Sequence, residues 1–145
     1  MILIDANLLL YAFNADAPEH AIARPWLEER LSGLYRVGLP WPSLLAFIRL
    51  ACNPAVVSAP LRAAAAWKYV EEWLALDNVW IPEAGPGHAA ILAGFMDLSQ
   101  MTSRLVPDAH LAALAIEHGL TLCSTDGDFA KFPGLKWLNP LAVEH

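Results

Sequence analysis

Residues 1–13 read MILIDANLLLYAF, and one carboxylate, Asp5, interrupts this apolar run. Residues 2–5 are apolar and do not alternate with polar residues, which predicts a short strand buried on both faces. Burying a carboxylate costs free energy unless the group is paired or binds a metal ion. Taken alone, Asp5 is therefore expected to be either a turn or cap residue or a metal ligand.

Similar apolar strands recur along the chain and are separated by segments with helical spacing. Strands are predicted at 2–5, 35–39, 78–82, 120–123 and 135–138. Helices are predicted at 18–31, from the prolines at 40 and 42 to about 51, at 61–76, at 87–98 and at 107–118, with a helical turn within 126–132. Gly119 is placed as the C-cap of the late helix. This alternation predicts a parallel sheet covered by helices on both faces.

Composition narrows the classes of function. A length of 145 residues suggests one domain, spanning 1–145, and a hydrophobic content of 57% excludes a disordered chain. No apolar run reaches the roughly 18 residues of a membrane helix, and the apolar start makes a poor signal peptide. We therefore expect a cytoplasmic protein with no membrane partner. A net charge of -6 argues against a basic patch for gripping nucleic acid, but it allows an enzyme that meets phosphate through bound cations.

Three aspartates are predicted to lie at one edge of the sheet. Asp5 ends the first strand, Asp126 follows the strand at 120–123, and Asp108 lies in the first turn of the late helix. Ligands of such sheets bind beyond the carboxyl ends of the strands. Because crowded carboxylates repel one another, a bound cation such as Mg²⁺ or Mn²⁺ is needed to keep them all ionised at low cost. Two such ions could activate a water and stabilise the leaving oxygen of a phosphodiester.

Each of these polar residues also has a plainer interpretation. Asn7 stands before an apolar run and is more often a helix cap. Asp108 could simply occupy a helix N-terminus, where the helix dipole favours a carboxylate. Asp126 and Gly127 are typical of a turn, and Asp128 of a cap. The joint position of the aspartates, rather than any single residue, favours a metal site.

Three segments together resemble the PIN-domain ribonucleases, and among these the VapC toxins of type II toxin–antitoxin pairs. They are LIDANLLLYAF at 3–13, FIRLACNP at 47–54 and VPDAHLAALAIEHGLTLCSTDGDFAKFPGLKWLNPL at 106–141. The resemblance implies a three-layer α/β/α sandwich with a central, mainly parallel sheet. It also implies Mg²⁺-dependent cleavage of RNA, a homodimer, and neutralisation by a small VapB-like antitoxin.

The resemblance also assigns roles to polar residues at the predicted site. The catalytic and metal-binding acids of the family match Asp5, Asp108 and Asp126. The auxiliary positions match Asn7 near the first acid, Thr125 as the hydroxyl residue supporting the loop, and Asp128 as an additional acid. An acidic cavity attracts a basic peptide, so an arginine of the antitoxin is expected to reach toward these aspartates.

One position departs from the family pattern. The glutamate expected on the second family helix is replaced by Leu44 or, with a shift in alignment, by Ala46. Neither side chain binds Mg²⁺, and Asp97 is a conceivable substitute without a supporting motif. We therefore expect one firmly held ion and a weaker, substrate-dependent second ion.

The missing glutamate leaves other functions open. A degenerate PIN domain could bind RNA or a protein partner without cleavage, and a metal-dependent phosphatase or DNA nuclease would use similar carboxylates. Arg49 and Arg104 are candidates for phosphate contact, although a surface ion pair would explain each of them alone. His88 is expected at a solvated helix end, and His110 on the surface or in an interface.

Overall fold

The computed structural model describes residues 1–142, and five parallel strands form its single sheet. The strands are β1 (Ile2–Ile4), β2 (Val37–Gly38), β3 (Val79–Trp80), β4 (Thr121–Cys123) and β5 (Trp137–Leu138). Their order in the sheet is β3-β2-β1-β4-β5. Because β1 is the central strand, the beginning of the chain lies beside its last third, and Ile4 pairs with Cys123.

Within residues 1–142, six α-helices connect and cover the strands. They are α1 (Ala6–Phe13), α2 (His20–Leu31), α3 (Trp41–Ala51), α4 (Ala63–Leu74), α5 (His88–Met96) and α6 (Val106–His118). Short 3-10 turns occupy Ser103–Leu105 and Gly127–Lys131. Gly119 ends α6 with a φ of 68°, a left-handed conformation that glycine adopts without strain, and this confirms the predicted C-cap.

The side chains of β1 divide the core into two layers. Ile4 packs with residues of α1 to α4, including Leu8, Phe47 and Val70. Leu3 points to the other face and packs with Phe95 and the apolar residues of α6. Helices therefore cover both faces of the parallel sheet, which confirms the predicted three-layer α/β/α sandwich. No helix within residues 1–142 is both long and apolar enough to cross a membrane.

The helix α1 is the one helix that the sequence pattern does not predict. Its residues, ANLLLYAF, continue the apolar run of β1 without a clear break in composition. The strand ends at Ile4, and Asp5 caps the helix by accepting a hydrogen bond from the amide of Ala6 at 2.8 Å. Asp5 also donates its own amide to the carbonyl of Cys123 at 3.0 Å. Asp5 is therefore the junction between the central strand and the first helix.

Gly38 on β2 provides a test of the packing that fixes this sheet. A Cβ at this position would lie 2.7 Å from Cγ of buried Pro82, so Gly38→Ala should lower the free energy of unfolding by about 1–3 kcal/mol. The matched control is Gly94→Ala, since a Cβ at this exposed position of α5 meets nothing within 4 Å. The control should raise stability by about 0.4–1 kcal/mol. Urea unfolding of both variants checks the pair, and a Gly38→Ala protein as stable as the wild type would contradict the packing.

Candidate metal centre

The carboxyl ends of β1 and β4 bring Asp5 and Ser124 side by side. Ile4 and Cys123 are paired in register, so the residues that follow them leave the sheet at the same edge. The fully buried Ser124 donates its hydroxyl to Oδ2 of Asp5 at 2.7 Å. This contact fixes the first aspartate against the loop that follows β4.

Ser124 Oγ also accepts two hydrogen bonds, from Nδ2 of Asn7 at 3.1 Å and from the amide of Asp126 at 3.0 Å. A hydroxyl has one donor and two acceptor sites, so the hydrogen-bonding capacity of Ser124 is fully used. One side chain therefore joins Asp5, α1 and the loop of Asp126.

Three carboxylates meet at this edge of the sheet. Asp108, Asp126 and Asp128 each offer an oxygen, and these oxygens lie within 4.8 Å of one another. Asp108 comes from the first turn of α6, while Asp126 caps the 3-10 turn after β4 by accepting from the amide of Asp128 at 2.9 Å. Two elements on either side of β4 in the chain thus supply one acidic cluster.

The electrostatics of the site favour a bound cation. Burial, followed by repulsion from Asp126, Asp5 and Asp128, raises the pKa of Asp108 to about 6. Burial also raises the pKa of Asp5, against the lowering effect of the hydrogen bonds from Ser124 and Ala6, and the charge of Asp126 raises it further. A divalent cation would reverse these effects, because it stabilises the ionised form of each carboxylate.

Asp128 differs from the other acids because two cations already pair with it. Lys131 Nζ donates to its Oδ1 at 2.8 Å, and Arg104 Nη1 donates to its Oδ2. The hydrogen bonds from Lys131 and Arg104 hold the pKa of Asp128 below its usual range. Arg104 is also close enough to Asp108 for its charge to lower the pKa of that carboxyl.

The two polar positions flanking the acids take different places. Asn7 lies on α1 and donates to Ser124, while its Oδ1 is buried without a hydrogen-bond partner in the described part of the chain. Thr125, which the resemblance assigns to loop support, forms no side-chain hydrogen bond within residues 1–142. The hydroxyl that supports the loop is that of Ser124, one residue earlier. The pairing of β1 with β4 sets Ser124 beside Asp5, and no local sequence pattern signals this pairing.

The helix α3 contributes no acid to the site. Leu44 is fully buried in the apolar core, and Ala46 is the only other residue at the expected position. Asp97 caps the exposed C-terminus of α5 and is not a member of the three-carboxylate group. The close group therefore consists of the two acids that follow β4 and the one that opens α6, while Asp5 lies outside this group but near enough for its charge to raise the pKa of Asp108.

The donor set fits a hard divalent cation. Every candidate ligand in the cluster is a carboxylate oxygen, and the buried Oδ1 of Asn7 is a further oxygen without a partner in the described residues. Mg²⁺ and Mn²⁺ prefer oxygen ligands, whereas softer metals favour sulfur or imidazole.

Comparisons with known proteins agree with this fold. The family model for the PIN domain matches residues 2–135. Ribonuclease VapC33 of Mycobacterium tuberculosis is 43% identical over 141 residues, covering 97% of this chain and 99% of the relative. Ribonuclease VapC37 of the same organism is 42% identical over 143 residues, covering 99% of each chain.

Solved structures show the same architecture at lower sequence identity. FitAcB from Neisseria gonorrhoeae superposes with a TM-score of 0.68 at 20% identity and covers 99% of this chain and 100% of its own. VapC20 of Mycobacterium tuberculosis, described as a sarcin-ricin loop cleaving toxin, has a TM-score of 0.67 at 18% identity, covering 94% of this chain and 99% of its own. From its fold, its family match and its full-length relatives, the chain belongs to the PIN domain family, among the VapC proteins.

Proposed function

We propose that the protein is a metal-dependent endoribonuclease and the toxin of a type II toxin–antitoxin pair. The observation that carries this proposal is the meeting of Asp108, Asp126 and Asp128 within 4.8 Å at the carboxyl edge of the sheet, beside Asp5. Near-complete coverage of relatives named as ribonucleases supports the reaction class. The single domain over 1–145 is part of this proposal.

Asp5, Asp108 and Asp126 are the proposed ligands of Mg²⁺ or Mn²⁺. Such an ion supplies Lewis-acid chemistry, which activates water and offsets charge on the phosphate. Ser124 positions Asp5 through its hydrogen bond, and Asn7 holds Ser124 in turn. Asp128 pairs with Arg104 and Lys131 and thereby holds their positive charges at the edge of the site.

The charge of the chain bears on its proposed partners. With a net charge of -6, the protein gains affinity for RNA from the bound cation and from local basic residues rather than from a broad basic face. The same acidic edge suits a basic segment of a VapB-like antitoxin, whose arginine would compete with the cation. We place the protein in the cytoplasm, as a homodimer neutralised by this partner.

A second candidate function is binding without cleavage. The observation that favours it is the absence of an acidic residue on α3, where buried Leu44 stands in place of a ligand. A site with fewer acids holds a cation less firmly, and a loosely held cation could leave RNA bound but intact.

Removing a proposed ligand tests cleavage directly. Asp5→Asn and Asp108→Asn should each lower the initial rate of RNA cleavage with Mg²⁺ by at least about 100-fold, because a neutral amide binds the cation weakly. Asp97→Asn is the matched control, since this exposed carboxylate lies outside the cluster, and it should cleave at the wild-type rate. Circular dichroism checks that each variant is folded.

Wild-type cleavage by a folded Asp108→Asn protein would contradict the proposed metal site. A wild-type protein that binds RNA and Mn²⁺ but never cleaves RNA would favour the binding-only function.

A second pair of variants separates Ser124 from Thr125. Ser124→Ala removes the acceptor of the Asn7 amide and the Asp126 backbone, so the free energy of unfolding should fall by about 1–3 kcal/mol. The cleavage rate should fall with it, because Asp5 loses a hydrogen bond. Thr125→Ala should change stability by less than about 0.5 kcal/mol. Urea unfolding and initial rates of RNA cleavage are measured for both variants. A larger loss of stability in Thr125→Ala than in Ser124→Ala would show that Thr125, and not Ser124, supports the loop.

A further inference from the structure

Two basic side chains, Arg104 and Lys131, lie at the acidic edge of the sheet. Arg104 lies in the 3-10 turn directly before α6, and Lys131 ends the 3-10 turn after β4. Both pair with Asp128, one on each carboxylate oxygen. The two cations therefore come from segments next to Asp108 and next to Asp126 and Asp128 in the chain.

The balance of charge limits how many metal ions the site needs. Asp5, Asp108, Asp126 and Asp128 carry four negative charges, and Arg104 and Lys131 offset two of them. One divalent cation neutralises the remaining two charges. A second divalent ion would give the site an excess of positive charge before any phosphate arrives.

The available ligands also favour a single metal ion. The helix α3 has no acidic residue, and Leu44 fills the core where an additional oxygen ligand would be needed. Both oxygens of Asp128 are engaged by the basic residues. A second ion at Asp128 would therefore have to share a carboxylate oxygen with Arg104 or Lys131, whose positive charges would repel it.

Arg104 is placed to do more than balance charge. Its side chain is 68% exposed, whereas the Asp128 side chain that it contacts is only 17% exposed. A guanidinium has five N–H donors in a planar array that matches the oxygens of a phosphate. Its exposed N–H groups are thus available to a phosphodiester that approaches the edge of the cluster.

We propose that Arg104, supported by Lys131, takes the place of a second divalent ion, so that the site binds one metal ion and Arg104 contacts the substrate phosphate. This inference rests on the proposed ribonuclease function. It makes Arg104 a residue with two opposite effects. Its charge weakens the binding of the metal ion, and the same charge strengthens the binding of RNA.

Calorimetric titration with Mn²⁺ tests the inference on the full chain without RNA. The wild type should bind one Mn²⁺, and Arg104→Gln should bind its ion about five- to tenfold more tightly, because a nearby positive charge is removed. In the same variant, kcat/KM for RNA cleavage should be at least about 10-fold lower than in the wild type, because the guanidinium contact to phosphate is lost. Arg104→Lys should restore the wild-type affinity for Mn²⁺, since it keeps the charge.

One control variant and one further test variant accompany the titration. Arg24→Gln removes an exposed arginine that pairs with Glu28 on α2, and it should leave both Mn²⁺ affinity and cleavage unchanged. Lys131→Gln is a second test variant. It removes the other positive charge that pairs with Asp128, and it should also tighten Mn²⁺ binding. Thermal unfolding of each protein reports on its fold.

Unchanged Mn²⁺ affinity in Arg104→Gln and Lys131→Gln, or two equivalent Mn²⁺ ions in the wild type, would overturn this inference. If RNA cleavage still depended on Asp108 in that case, the proposed function would stand. A wild type that neither bound Mn²⁺ nor cleaved RNA would overturn both.

Discussion

Mutual repulsion among carboxylates at the carboxyl edge of a parallel sheet is the constraint on which this site depends. Parallel strands all end at the same edge, so residues far apart in the chain are brought together there. Burial, together with repulsion from Asp126, Asp5 and Asp128, raises the pKa of Asp108 to about 6. The fold therefore keeps charges together at a cost in stability that a cation removes.

Hydrogen bonds to Ser124 hold the acids in place against this repulsion. The buried hydroxyl joins Asp5, Asn7 and the backbone of Asp126 through three contacts. Asp5 itself serves the fold by capping α1 and serves the site through its carboxylate. The carboxylate that caps α1 is also a proposed metal ligand, so the two roles that the sequence presents as alternatives are compatible in one residue. Such preorganisation reduces the rearrangement required when a cation binds.

The sequence predicts the fold and the edge where the acids lie. Short apolar strands between helices specify a parallel sheet, and the strand-end rule places Asp5 and Asp126 at one edge. The helix α1 escapes prediction because an apolar run such as LLL suits either a strand or a buried helix. Ser124 escapes because its role depends on the register between β1 and β4, which no local pattern contains.

Charge pairing and side-chain contacts are likewise invisible to local patterns. The pairing of Asp128 with Arg104 and Lys131 depends on how two 3-10 turns approach each other. The expectation of a solvated His88 is wrong, since its side chain is only 7% exposed and its Nε2 lies 3.0 Å from Nδ1 of His110. Packing between α5 and α6 buries His88 and partly covers His110, and helical spacing alone does not show which helices pack together.

The most direct test of the metal centre is anomalous diffraction from crystals soaked in Mn²⁺. We expect one anomalous peak at the carboxyl edge of the sheet, roughly 2.0–2.4 Å from carboxylate oxygens of Asp108 and Asp126. No peak at this edge, or Mn²⁺ bound elsewhere while these two carboxylates remain free, would contradict the account.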